Sequence, residues 1–396
     1  MSAGTEMNLG RVQRTALIVG AAVLCACAAY GILRPEPFFR AYLVAFLFLL
    51  GLPLGSAALL MVQHLTGGMW GTVLRPALEA ATRTLPLLAL FFLPVLAGLG
   101  YLYPWMYVGD FDHNVEMQNK IASYLNAPFF MVRAALYFAV WLGVIYFLNR
   151  WSVEQERDRS PELPRRFRLL SGPGLGLFGL GITFASVDWF MSLEPEWFSS
   201  IYAVVIAMGM LLEAFAFAVL VTARLADRPP VAEYATPLVL NDLGNLMLAF
   251  AMLWTYVAFS QFLLIWAGNL REEIIWYKHR FDAGWGGLAV GLVVFQFVVP
   301  FVLLLSRDVK QNPRSLAATA LLALGMRLVD ALWTIGPASR EYPSILSDAS
   351  WWDQWLLLAL PVGLGGLWLG VFLWQLQKRP LVIARELVFV EGMAHE

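Results

Sequence analysis

Apolar positions along this chain come in long unbroken runs. They show neither the alternation of a half-buried strand nor the stripe of an amphipathic surface helix. The runs fall at about 15–33, 40–62, 85–107, 126–149, 169–192, 198–223, 243–268, 285–306, 315–336 and 352–375, separated by polar or Pro-rich breaks. Each is near the ~20 residues a helix needs to cross hydrocarbon, so the pattern predicts an all-α polytopic membrane protein with ten transmembrane helices. Runs such as Leu243 to Trp266 exclude the short alternating strands of a membrane barrel. The first run follows Arg11 and Arg14 and continues to Arg34 without a small-residue cleavage site, so a retained helix is expected there.

Composition agrees with that reading. Of 396 residues, 60% are hydrophobic and 14% charged, where soluble domains carry about 45–50% and about 25%. The mean hydropathy is +0.66. Basic and acidic totals of 27 and 28 nearly cancel, which argues against a nucleic-acid partner. Cys25 and Cys27 lie two apart in the first span and face different ways, so no disulfide framework or four-cysteine metal site is expected. Of the histidines His64, His113, His279 and His395, only His64 is near a span, which disfavours a bis-histidine haem within this chain.

Lys and Arg sort by side. Counted in alternate segments between spans, 18 lie on the side of the termini and 7 on the other. The positive-inside rule therefore places both termini in the cytoplasm. The basic 150–168 loop reads as a cytoplasmic stop touching anionic membrane lipids, or as a dock for a cytoplasmic partner. Residues 376–396 read as a cytoplasmic tail.

An internal echo points to a repeat. Val187 to Pro195 (VDWFMSLEP) and Val329 to Pro337 (VDALWTIGP) share Val-Asp and a closing Pro at an offset of 142 residues, equal to four spans. An even offset keeps helix direction. The echo predicts two parallel four-helix bundles, 40–192 (spans 2–5) and 198–336 (spans 6–9), with 15–33 and 352–375 peripheral.

Ionisable groups at membrane depth are costly and each needs a reason. Asp188 closes the fifth span, Arg133 lies in the fourth, and Arg327 and Asp330 lie three apart in the ninth. Glu213 stands by itself in the inner half of the sixth span, while His64 and Asp242 lie nearer the cytoplasmic surface. One reading makes Arg133–Asp188 and Arg327–Asp330 structural ion pairs. The other makes Glu213, Asp188, Arg133, Arg327, Asp330, His64 and Asp242 a proton path, extended through water by Thr183, Ser186, Tyr256, Ser260, Gln261 and Gln296. Two outer segments read as aromatic anchors or as docking faces: the turn holding Glu194 and Trp197, and Asn269 to Trp285, with Glu273, Trp276 and Tyr277.

The segments DWFMSLEPEWFSSIYAV (Asp188 to Val204) and DLGNLMLAFAMLWTYVAFSQFLLIWAGNLREEIIWY (Asp242 to Tyr277) resemble the NrfD/polysulfide-reductase type of membrane subunit found in alternative complex III. That complex is a bacterial quinol:cytochrome c (or cupredoxin) oxidoreductase. The resemblance implies two four-helix bundles with flanking helices in a bacterial inner membrane. It implies a homologous quinol-oxidising membrane subunit as neighbour, and periplasmic subunits carrying iron–sulfur clusters and haem c. The chain itself would bind no redox cofactor and have no catalytic residue or metal, with quinone as a candidate ligand. Asp188 and Asp242 fall within the resembling segments. No histidine lies near the outer carboxylates to complete the acceptor and donor pair of a quinol-oxidation site. A stand-alone secondary transporter and an assembly factor of a respiratory complex remain as alternatives.

Overall fold

The computed structural model describes residues 3–107, 114–157, 162–281, 285–339 and 353–380, and among them every regular element is helical. The chain opens with α1 (Ala3–Leu33), α2 (Pro35–Thr66), α3 (Met69–Thr82), α4 (Leu85–Ala97) and α5 (Leu99–Leu102). It continues with α6 (Val115–Ser123), α7 (Ala127–Arg157), α8 (Leu163–Trp189), α9 (Tyr202–Leu225), α10 (Pro237–Gly268) and α11 (Arg271–Phe281). Then come α12 (Trp285–Leu292), a π-turn at Val293–Val298, α13 (Val299–Leu305), α14 (Arg307–Gln311), α15 (Pro313–Ile335) and α16 (Leu356–Gln377). Among the described residues nine helices are long and apolar enough to cross a membrane, and the bent pair α3 and α4 brings the number to ten. The chain is an all-helical polytopic membrane protein. Residues 158–161 of the basic loop and 381–396 of the expected tail lie outside the described residues.

One boundary differs from expectation in a way that matters. Residues 63–84 read as a cytoplasmic loop, yet Met69–Thr82 is a helix whose Arg75 and Glu79 are buried. The third apolar run is therefore preceded by a helix that starts at Met69 and meets α4 at a bend of 40°. Pro86 supplies no N–H at the start of α4, which favours a new helix over continuation. Thr84 holds the break, donating to Ala81 O at 2.6 Å and accepting from the Trp368 indole of α16 at 2.8 Å.

Lipid is as apolar as leucine, so helices in a bilayer associate through close packing, and small residues permit it. The centre is α2, with 94% of its apolar core buried against 17% for α1. A Cβ on Gly55 of α2 would sit 2.1 Å from Met210 O, so α2 and α9 meet backbone to backbone. At the periphery α1 packs on α16 in the same manner, Gly20 facing the backbone of Gly363, Gly366 and Leu367. Helix α15 packs on α9 and α2, closing the middle of the molecule. The π-turn precedes Pro300, whose missing N–H breaks the ladder there, and it carries the buried Gln296 inward toward α15.

Candidate functional site

Three groups of buried charges, at different depths, hold most of the expected site residues. The outer group is closed. Arg133 of α7 and Asp188 of α8 form a two-pronged pair, Nε to Oδ2 at 2.8 Å and Nη2 to Oδ1 at 2.9 Å. Tyr137 donates its hydroxyl to Asp188 Oδ2 at 2.8 Å, and Arg133 Nη1 donates to Tyr124 O at 2.9 Å. The guanidinium also lies over the rings of Tyr124 and Phe129, at 3.8 and 4.3 Å. Both Asp188 oxygens and all three guanidinium nitrogens are engaged. This arrangement has the character of a structural pair.

The middle group is open. On α15, Arg327 Nη1 donates to Asp330 Oδ2 at 2.8 Å across one helical turn. Gln296, with its amide oriented to satisfy both neighbours, donates to Met326 O at 2.9 Å and accepts from Arg327 Nη1 at 3.1 Å. The guanidinium sits 5.2 Å from the Trp254 ring centroid and presses Nη2 against Gly209 of α9. One turn further along α9 is Glu213, wedged against Gly51 of α2 and within electrostatic range of Arg327 and Asp330. Glu213 thus forms no ion pair among the described residues, and Arg327 of another helix acts on it only electrostatically. Glu213 Oε1 and Arg327 Nε both lack a hydrogen-bond partner.

Of the inner group, sequence reasoning named His64 but missed Arg75, Glu79 and Arg83. Glu79 accepts from Arg75 Nε at 2.7 Å, Arg83 Nη2 at 3.0 Å and the Ser152 hydroxyl at 2.6 Å. Arg75 Nη2 goes on to Gln155 Oε1, and Arg83 Nε to Asn149 Oδ1, each at 2.8 Å, tying α3 to α7. His64 stacks on Phe167 at 4.3 Å and faces the Ser171 hydroxyl at 3.3 Å, with Nε2 unpartnered. The signal was present as Arg75, Glu79 and Arg83 at four-residue spacing beside apolar Leu74, Ala77, Leu78 and Ala81.

Other expected members do not join. Asp242 is exposed at the inner end of α10, and Thr183 and Tyr256 lie on outward faces. Ser186 and Gln261 are buried, each with an unpartnered oxygen. The docking aromatics are corrected as well: Trp197, Trp276 and Tyr277 are buried within the chain. Trp197 stacks on Trp276 at 5.1 Å and donates to Glu273 O at 3.1 Å. Glu194 is turned inward, bonded to Arg280 at 2.8 Å and facing His279 at 3.4 Å. Burial opposes ionisation of Glu194, but Arg280 and His279 outweigh it and hold the carboxyl below the ordinary glutamate range. Phe198, Trp266 and Phe281 are among the aromatics that this region leaves exposed.

Among the described residues no cluster of three or more His, Cys, Asp or Glu side chains is placed to hold a metal ion. The sequence matches no protein-family model and no curated protein.

Proposed function

We propose that this chain is a core membrane subunit of a respiratory quinol:cytochrome c (or cupredoxin) oxidoreductase of the NrfD-like kind. It supplies helix scaffold and a proton route, while partner subunits hold the haem c and iron–sulfur clusters. Its setting in this reading is a bacterial inner membrane with both termini in the cytoplasm, beside a homologous quinol-oxidising subunit and beneath periplasmic ones. No step of this reading needs a quinone on this chain. The observation that carries it is the run of residues Asp188–Val204 and Asp242–Tyr277, long segments of unusual composition that resemble such subunits.

The same reading makes helices α2–α8 and α9–α15 two parallel four-span units flanked by α1 and α16. In its support, each unit has a short outer helix that offers a cation to a carbonyl near its closing turn. Lys120 of α6 donates to Pro195 O at 2.7 Å, and Arg280 of α11 donates to Thr334 O at 2.6 Å. Each unit also carries one Arg–Asp pair near the end of its last helix.

The broken α3 and α4 crossing favours a second reading, a stand-alone secondary transporter, since such proteins build sites at interrupted helices. Native purification separates the two. The chain of a respiratory complex co-elutes with haem c absorbance and iron–sulfur proteins. Elution of the intact chain by itself, with no haem, would discard the first reading and keep the second.

A further inference from the structure

We propose that Glu213, Arg327 and Asp330 form one site that binds a single exchangeable proton, with Arg327 shared between the two carboxyls. The inference deepens the proton-route reading and rests on it for its biological use, while the chemistry stands on geometry. Two acids and one guanidinium carry a charge of about −1 when all are ionised, and a low-dielectric interior penalises that excess. Among the described residues, Arg327 is the cation that acts on both carboxyls. Gln296 of the π-turn and Trp254 of α10 are neutral, as is Gly51 of α2. Tyr202 and Tyr277 face Asp330 from α9 and α11, and the neighbouring Arg280 is committed to Glu194. One proton makes the cluster neutral.

The geometry also provides for the sharing. Arg327 pairs with Asp330 through Nη1, while Nε is left without an acceptor. Glu213 Oε1 is left without a donor one turn from the point where Arg327 Nη2 touches α9. Glycine clears the space on both sides: a Cβ on Gly209 would lie 2.2 Å from Arg327 Nη2, and one on Gly51 would lie 2.5 Å from Glu213 Oε2. The arrangement with Arg327 on Asp330 is, in this proposal, the state with the proton on Glu213. When the O–H bond of Glu213 breaks and its proton leaves, the new carboxylate attracts the guanidinium. Asp330, losing its cation, then becomes the carboxyl that takes up the next proton. The titration belongs to the pair rather than to either acid.

Infrared difference spectroscopy of the purified protein reads this site through the C=O stretch of a protonated carboxylic acid, marked by its shift in deuterium oxide. The wild type shows one such buried acid at neutral pH. Glu213→Gln removes it. Asp330→Asn also removes it, because the one remaining carboxylate then pairs fully with Arg327. Adding Arg327→Gln to Asp330→Asn restores the band, since Glu213 again lacks a cation. The Glu213→Gln/Asp330→Asn double variant strands Arg327 and accumulates several-fold less protein, and Arg327→Gln rescues it. A band that survives in Asp330→Asn would show an isolated acid at Glu213 and overturn the sharing. Absence of any band in the wild type would overturn the bound proton. These spectra are independent of the partner complex. The proton route is tested apart from them, by proton yield per electron in vesicles carrying Glu213→Gln: an unchanged yield with the infrared result intact keeps the site and removes the route.

Discussion

Two equally buried carboxyls, Asp188 and Glu213, behave differently because of what surrounds their oxygens. Asp188 spends both on Arg133 and Tyr137, whereas Glu213 keeps Oε1 unpaired in an equally dry setting. A saturated pair fixes helices and has nothing left to exchange, and an unsaturated acid is where an exchangeable proton belongs. A thermodynamic cycle tests the structural role of the first. Asp188→Leu leaves the Arg133 guanidinium buried without a counter-charge, a cost of about 3–5 kcal/mol. The double variant Arg133→Met/Asp188→Leu removes both charges and should recover most of that loss. The measurement is thermal stability of the purified protein in detergent. A double variant no more stable than Asp188→Leu would mean that the pair holds α7 to α8 by more than mutual neutralisation.

Element by element, the apolar runs were legible because a spanning helix needs only length and hydropathy, and both survive in the bare sequence. The exception, α3, shows what hides a helix. Arg75, Glu79 and Arg83 lower the hydropathy of this stretch enough to imitate a loop, although Glu79 pairs with both arginines within the segment; the neutral partners Ser152, Gln155 and Asn149 on α7 cannot be read from that segment. Arg133–Asp188 was foreseeable as opposite charges at matched depth, and Arg327–Asp330 as a three-residue spacing. The approach of Arg327 to Glu213 was not, since it depends on Gly209 and on the rotation of α15 about its axis. Outer helix α11 misled in the opposite sense. Its aromatics looked available for a partner, but Trp276 and Tyr277 pack inward, with Arg280 over the Trp276 ring at 3.6 Å. The seat of α11 carries a pH dependence with a definite sign. Glu194 ionises more readily folded than unfolded, so its contribution is complete above the ordinary glutamate value of about 4.3 and is lost as pH falls through the lower folded value. Hydrogen exchange of α11 amides should therefore accelerate as pH is lowered below that ordinary range, after correction for intrinsic rates. The Glu194→Gln protein should exchange fast at both ends of the range. A wild-type profile that stays flat on acidification would show that the Glu194–Arg280 contact does not hold α11 in place.

For the whole molecule, orientation is the property that every functional reading depends on, because it decides which charge cluster meets which compartment. With ten crossings, the bent α3 and α4 pair counted as one, both termini share a side, and the basic residues outside the apolar runs crowd that side. Arg75 lies within α3 and Arg83 caps its C-terminal end, but setting both aside leaves the terminus side with more than twice the opposite total. The positive-inside rule then puts the Glu79 cluster and His64 near the cytoplasm, and Asp188, Glu194 and α11 on the outer side. Cysteine labelling in intact cells checks this directly, starting from a background in which Cys25 is Ser and Cys27 is Ala. Glu116 on α6 and Glu162 at the start of α8 are both exposed and lie on opposite sides of the proposed arrangement. A membrane-impermeant maleimide should label Glu116→Cys in intact cells and reach Glu162→Cys only after permeabilisation. If Glu116→Cys resists in both conditions while Glu162→Cys keeps its expected pattern, the orientation stands and a partner covers α6, which the proposed periplasmic subunits would do. Labelling of Glu162→Cys in intact cells would reverse the molecule. The Glu79 cluster would then face outward, and a proton leaving Glu213 toward His64 would leave to the opposite compartment.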